Sequence, residues 1–406
     1  MTQTQLPESW RFVTLSQIAR EKPNNGIFRK NSEYLTNGSG GIPVVWVEEL
    51  FRGNSIDTKD SRRVAATKAD VEKYGLRKGD VLFCRSSLKL DGIAFNNVYL
   101  GEDNKALFEC HLIRISPNLE EVSPVFLNWV LRSPQIRAIA KSKSKTATMT
   151  TIDQQGLGSI PIPLPPLVEQ QRIAGILDRA EGLRAKRCAA LAKIDILPQV
   201  IFLELFGGMP KPNFAALSDV ANLKRGPFGG ALKKEIFVES GYKVYEQKNA
   251  IQSDFTIGRY FITDAKYRQM EDFAVKPADL IVSCSGTLGK VAVVPETAAP
   301  GVINQALLRV RPDVARVTAL FLKHALEQPK VQAKLVGFSH GTGLQNFPPM
   351  SEVRALSVPA PPIELQREFA RRVEAVEKLK AAQRASLAKL DALFASLQHR
   401  AFRGEL

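Results

Sequence analysis

Cysteine and histidine are scarce in this chain, and each scarcity closes a class of function. Among 406 residues there are four of each. Cys84, Cys110, Cys188 and Cys284 lie 26 or more residues apart, so no Cys-x-x-Cys pair is available for a zinc ribbon or a disulfide scaffold. His111, His324, His340 and His399 are scattered without His-x-x-x-His spacing, and no metal site is expected. No run approaches 18 apolar residues, and the opening Met1-Thr2-Gln3-Thr4 lacks a basic-then-apolar signal pattern. These absences predict a soluble, reduced, cytoplasmic protein with no membrane partner.

Catalytic signatures are equally thin. No Gly-x-Ser-x-Gly elbow occurs. The stretch Cys284-Ser285-Gly286-Thr287-Leu288-Gly289-Lys290-Val291 superficially resembles a phosphate-binding loop. Its first glycine position is Cys284, and Val291 replaces the hydroxyl that would hold Mg²⁺. Asn346-Phe347-Pro348-Pro349 hints at an amino-methyltransferase loop, but Phe347 intrudes and Met350 replaces the aromatic residue. Asp219, Glu246 and Lys248 could mimic the two carboxylates and lysine of a metal-dependent nuclease. That nuclease is kept as an alternative; the chain reads as a binding protein, not an enzyme, with no catalytic residue and no cofactor of its own.

What is present is positive charge. Lys and Arg number 56 against 41 Asp and Glu, a net +15, and a surface of that sign attracts polyanions. The chain is also written twice. With Pro165-Pro166 placed over Pro361-Pro362, an offset of 196, Gln170 falls on Gln366 and Leu183 on Leu379. Leu191-Ala192-Lys193-Ile194-Asp195 then falls on Leu387-Ala388-Lys389-Leu390-Asp391, and the 44 positions 165–208 hold 15 identities. Upstream matches drift in offset: Arg114 onto Arg309 at 195, Asp80 onto Asp279 at 199, Leu15 onto Leu217 at 202. Drifting offsets mean loops of unequal length on a shared scaffold.

Each gapless segment follows a proline-rich lead-in and repeats apolar residues at three- and four-residue steps. Ile173, Leu183, Ile194 and Leu197 mark the first seam; Phe369, Val376, Leu379, Leu390 and Leu393 mark the second. Each predicted helix runs roughly 35 residues, or about 50 Å, and the two are expected to pair antiparallel. Packing of each on its own module is the alternative. Pro198 predicts a kink or an early end in the first. Before each helix, β-rich runs such as Ile42–Val47, Val81–Cys84, 280–282 and 291–294 alternate with helical patterns at Val125–Ala140 and Thr318–Val336. The fold class expected is α/β: two pseudo-symmetric globular α/β modules separated by two long antiparallel helices forming a coiled coil.

The halves diverge in their loops, and there the candidate DNA contacts lie. Arg85, Ser86, Ser87 and Lys89 follow the first buried strand; Ser285, Thr287 and Lys290 follow its counterpart. Hydroxyls and cations at strand ends suit phosphate and base-edge contact, although they also suit self-capped turns. Lys141, Lys143 and Lys145 recur at every second position beside Thr146. The matching stretch of the second half offers His340, Thr342, Gln345 and Asn346, whose amides have the geometry that reads adenine. Lys248 and Asn249 form a third candidate.

Over essentially its whole length the chain resembles the specificity subunit of type I restriction-modification systems. The resemblance rests on Pro163-Leu164-Pro165-Pro166-Leu167-Val168-Glu169-Gln170 with its echo Pro359-Ala360-Pro361-Pro362-Ile363-Glu364-Leu365-Gln366, on the helix ends Phe202–Gly207 and Arg400–Leu406, and on Tyr245-Glu246-Gln247-Lys248-Asn249-Ala250. It implies target-recognition domains at 1–160 and 209–357, with spacer helices at 161–208 and 358–406. It implies double-stranded DNA as ligand, read as an asymmetric bipartite target. It also implies two docked modification subunits carrying S-adenosylmethionine, and restriction subunits that use ATP and Mg²⁺. A coiled-coil adaptor for proteins alone remains a third reading.

Overall fold

The computed structural model describes residues 7–35, 40–146, 148–208, 213–228, 230–336 and 347–406. The chain forms two compact units. Unit 1 holds the described residues up to Cys188 together with Ala385–Leu406, and unit 2 holds Ala189–Arg384.

In unit 1 an antiparallel sheet runs in the order Asn24–Asn25, Leu112–Ile115, Val81–Cys84, Asn96–Val98. The two middle strands are buried along their whole length, which explains why Val81–Cys84 reads as an unbroken apolar run; Leu112–Ile115 admits Arg114, whose guanidinium donates to the Gly75 carbonyl at 2.6 Å. A second sheet, Tyr34–Leu35, Arg63–Val64, Ile42–Val45, Leu107–Phe108, ends in a parallel pair. Unit 2 repeats both patterns. Its first sheet runs Ala221–Arg225, Leu307–Pro312, Leu280–Ser283, Val291–Val293, and its second joins Tyr242–Tyr245 to Gly301–Ile303 in parallel.

The two helical patterns each break in two. Pro124–Leu131 is followed by Pro134–Ser142, and Ala319–Leu326 by Pro329–Val336. Single helices were expected across both; Pro134 and Pro329 start new ones because a proline accepts no interior place but suits a first turn. Ser133 caps the second helix of unit 1 through its hydroxyl.

The proline-rich lead-ins form strands. Pro161–Leu164 pairs with Arg11–Thr14, and Ser357–Pro359 pairs with Phe214–Ala216, in two-stranded ribbons whose open edges tolerate the missing N–H groups. The long helices follow: Leu167–Phe206, 40 residues, and Ile363–Ala401, 39 residues. Pro198 stands inside the first, which continues past it to Phe206, so the early end expected there does not occur.

Within each unit the two helices meet antiparallel. In unit 1, Arg184 Nε donates to Asp391 Oδ1 at 2.7 Å, and Arg172 reaches the Leu406 carbonyl at 2.7 Å. The Arg184 guanidinium also lies 4.8 Å from the Phe394 ring. In unit 2, Asp195 pairs with Lys380, and Glu204 pairs with Arg372 at 3.3 Å. Higher numbers on one helix meet lower numbers on the other in both cases. Ile173, Ile194 and Phe369 are buried; Leu197, Val376 and Leu390 are half-buried; Leu183, Leu379 and Leu393 are exposed. Charged pairs flank the seam where those leucines face solvent.

Each helix end closes a core. Phe402 packs edge-on against Phe126 in unit 1, 5.9 Å between centroids, and Phe206 packs against Phe321 in unit 2 at 4.9 Å. No helix among the described residues is long and apolar enough to cross a membrane.

Candidate nucleic-acid interface

In unit 1 the structure unites two stretches that lie far apart in the sequence. Ser86–Ser87, just beyond the buried strand Val81–Cys84, pairs with Thr150–Thr151, which pairs in turn with Lys145–Thr146. The three short strands make one small sheet. Lys145 and Thr146 are exposed on it, as are Lys143 at the preceding helix end and Arg85 and Lys89 close by. Lys141 instead pairs with Asp91 at the end of its helix. Ser87 Oγ donates to the Lys89 carbonyl at 2.8 Å and accepts the Lys89 N–H at 3.2 Å, so it closes its own turn. Ser86 is half-buried in the middle of the edge.

A third segment reaches the same place. The His111 carbonyl accepts the Arg85 N–H at 2.8 Å, and the Arg85 guanidinium approaches the Cys110 carbonyl at 3.4 Å. The turn Glu109-Cys110-His111 therefore borders the small sheet. Its three side-chain donor atoms lie within 4.8 Å of one another. Burial, and then the Glu109 carboxylate, push the Cys110 thiol above its ordinary value, so it stays a neutral thiol. Three consecutive residues with proton- or metal-active side chains were visible in the sequence, and spacing rules built around Cys-x-x-Cys and His-x-x-x-His passed over them.

Unit 2 builds the corresponding edge from other material. Ser283 organises the loop after its buried strand: its hydroxyl donates to the Thr287 carbonyl at 2.6 Å and accepts the Lys290 N–H at 2.9 Å. Ser285, Thr287 and Lys290 are exposed on that loop. Gly286 has φ +59°, and a Cβ placed there would stand 3.0 Å from Gln247 Nε2. The loop thus abuts the start of helix Gln247–Gln252. Gln332 Nε2 donates to the Gly289 carbonyl at 2.9 Å and ties the loop to a second helix.

Lys248 forms an ion pair with Glu246 at 2.9 Å. Asn249 is buried, and its amide is fully engaged within the unit. It donates to the carbonyls of Asp254 and Ile257 and accepts the Glu246 N–H, which leaves no edge for a base. His340, Thr342, Gln345 and Asn346 lie outside the described residues. Asp219 lines a cleft with Ser218, Asn222, Asp313 and Arg354, a cleft to which Glu246 and Lys248 do not contribute.

Arg225 was not singled out by sequence. It ends the strand beside this loop, donates to the Cys284 carbonyl at 3.4 Å, and lies 5.0 Å from the Phe347 ring and 5.9 Å from the exposed Phe228. Burial lowers its pKa. The two units therefore present unlike chemistry at matching sheet ends: lysines, threonines and a histidine in one, and a serine–glycine–threonine loop with a ring-flanked arginine in the other.

Residues 7–190 match the family of type I restriction modification DNA specificity domains. Beyond that stretch, likeness covers nearly the full chain. A putative type I restriction enzyme specificity subunit of Methanocaldococcus jannaschii, MjaX, is 23% identical across 92% of this chain and 88% of its own. The EcoBI specificity subunit of Escherichia coli is 22% identical across 98% and 86%. Among solved structures, a chain from a study of complex assembly and conformational transition of the type I R-M system superposes with a TM-score of 0.63. It is 19% identical and is covered over its whole length, against 99% of this chain. The type I S subunit of M. genitalium gives 0.55 at 14% identity, covering 99% of this chain and 98% of that one.

Proposed function

We propose that this chain, which carries a type I restriction-modification DNA specificity domain and resembles specificity subunits over nearly its full length, is the DNA-reading subunit of such a system. Each unit reads one half of an asymmetric, bipartite target in double-stranded DNA. The observation that carries this reading is the pairing of like scaffolds with unlike edges. The first sheets share their strand order and each second sheet holds a matching parallel pair, while unit 1 carries Lys145-Thr146 on a small sheet with Ser86 and unit 2 carries Ser285-Gly286-Thr287 beside Gln247. A duplicated scaffold with divergent edges suits two different half-sites.

The chain itself performs no bond chemistry in this reading. Two modification subunits dock on it and supply S-adenosylmethionine and methyl transfer; restriction subunits with ATP and Mg²⁺ join through that complex in the cytoplasm. The long helices, 40 and 39 residues and so about 60 Å each at 1.5 Å per residue, act as the ruler between half-sites.

Co-expression with the modification subunit and mapping of methylated positions test this together. A split motif with a fixed gap is expected, and insertion of four residues into both long helices should alter the tolerated gap while sparing both half-sites. A purified chain that cleaves DNA alone with Mg²⁺, and stops doing so as Glu246→Ala, would reverse the reading.

A further inference from the structure

The Glu109–His111 turn carries a feature that its counterpart lacks. Glu109 is buried, its side chain 3% exposed, whereas the His111 side chain is 56% exposed. One carboxylate oxygen, Glu109 Oε2, accepts both the His111 N–H at 2.9 Å and Nδ1 at 2.7 Å. In unit 2 the same turn is Asn304-Gln305-Ala306, where Asn304 Oδ1 accepts the Ala306 N–H at 3.0 Å. Closing the turn therefore needs only an acceptor at its first residue. The imidazole of unit 1 is an addition to a turn that closes without one.

The clamp sets the ring's chemistry. A carboxylate cannot donate, so Nδ1 carries the hydrogen, and Nε2 is then an acceptor when the ring is neutral and a donor when it is protonated. Nδ1 is tied to the buried Glu109 carboxylate while more than half of the side chain is exposed, and the His111 carbonyl accepts the N–H of Arg85, the residue before Ser86. The groups that donate from the major-groove edges of bases are the exocyclic amines of adenine and cytosine.

We propose that His111 is a base-reading residue of the first half-site, its Nε2 accepting from an exocyclic amine of adenine or cytosine. This rests on the DNA-reading function above. A buried carboxylate that fixes tautomer and orientation before DNA arrives makes the contact specific at low ordering cost.

The test uses the chain in complex with its modification subunit, binding duplexes substituted singly at every position of both half-sites. His111→Ala should weaken the cognate duplex roughly tenfold or more and erase discrimination at one position of the first half-site, leaving the second half-site unchanged. His111→Gln, which restores a hydrogen-bonding side chain, should regain affinity with altered preference there. Unchanged discrimination at every position in both variants would overturn the proposal. So would a loss uniform over all sequences with a shallower salt slope, which marks a phosphate contact, or a chelator that reproduces the Ala phenotype in the wild-type complex, which marks a metal ligand. Lys145→Ala separates this from the wider reading. If it weakens DNA while both His111 variants are silent, only the histidine assignment falls; a complex without any sequence preference would sink the DNA-reading function itself.

Discussion

Gln170 holds Ser123: its Oε1 accepts the Ser123 N–H at 2.8 Å, while Nε2 donates to the carbonyls of Glu121 and Pro165, both at 2.8 Å. Ser123 caps helix Pro124–Leu131, so a residue in the first turn of a long helix fixes where a module helix begins. Gln366 repeats the arrangement on Thr318, Arg316 and Pro361, every distance again 2.8 Å. Both amides are fully buried. Buried polar groups left without partners are costly, and this side chain satisfies three at once. Gln170→Ala and Gln366→Ala should each destabilise the unit concerned, by on the order of 2–4 kcal/mol, read by denaturant unfolding. A change below the error of that measurement would show that water replaces the amide.

The long helices should respond very unevenly to truncation. Phe369 is fully buried among Phe202, Phe206 and Phe321, with centroids 5.6 to 6.2 Å away. Phe369→Ala should cost about 3–5 kcal/mol. Leu393 has the same heptad-like spacing but is 50% exposed, and Leu393→Ala should cost under about 1 kcal/mol. Thermal melts of the two variants decide this, and equal losses would mean the seam is evenly packed.

Lys143 and Lys145 are exposed and form no ion pair among the described residues, whereas Lys141 is held by Asp91. Removing a lysine that neutralises a phosphate should lower the slope of log affinity against log salt by about one, equally for all sequences. Lys145→Ala is expected to do so and Lys141→Ala to do so less. Affinity titrations across salt concentrations, with cognate and unrelated duplexes, supply the slopes.

Unit 2 should lose stability in mild acid. His324 is half-buried against Phe369, centroids 5.2 Å apart, and loss of solvent first, then Lys323, push its imidazole down from 6.5 to about 4. Above roughly pH 6.5 both folded and unfolded chains hold it neutral. Between there and pH 4 the unfolded chain binds a proton that the folded chain refuses, so stability falls by up to about 3 kcal/mol. Glu327, whose carboxyl burial raises, acts in the opposite sense and softens the slope. His324→Gln should flatten the decline in stability measured from pH 7 to 4.

How far the sequence could be read depended on whether a feature is local. The repeat, the buried strands Val81–Cys84 and 280–282, and the two long helices follow from composition and period, because fully buried strands and long paired helices leave continuous apolar patterns. The small sheet joining Ser86 to Lys145 was not legible: two-residue strands have no period, and their pairing is a tertiary event. Asn249 illustrates the reverse difficulty. A polar residue after a strand looks free, and only the fold reveals that its amide braces Asp254 and Ile257. Helix breaks at Pro134 and Pro329 were local signals that the apolar pattern obscured.

Unit 1 is assembled from both ends of the chain, with Ala401 and Phe402 in its core and Phe394 packed 5.5 Å from Trp129. Closing unit 1 therefore needs two stretches of chain separated by all of unit 2: without residues 385–406, Phe126 loses the ring of Phe402 and Trp129 that of Phe394, and the apolar face they share is left open to water.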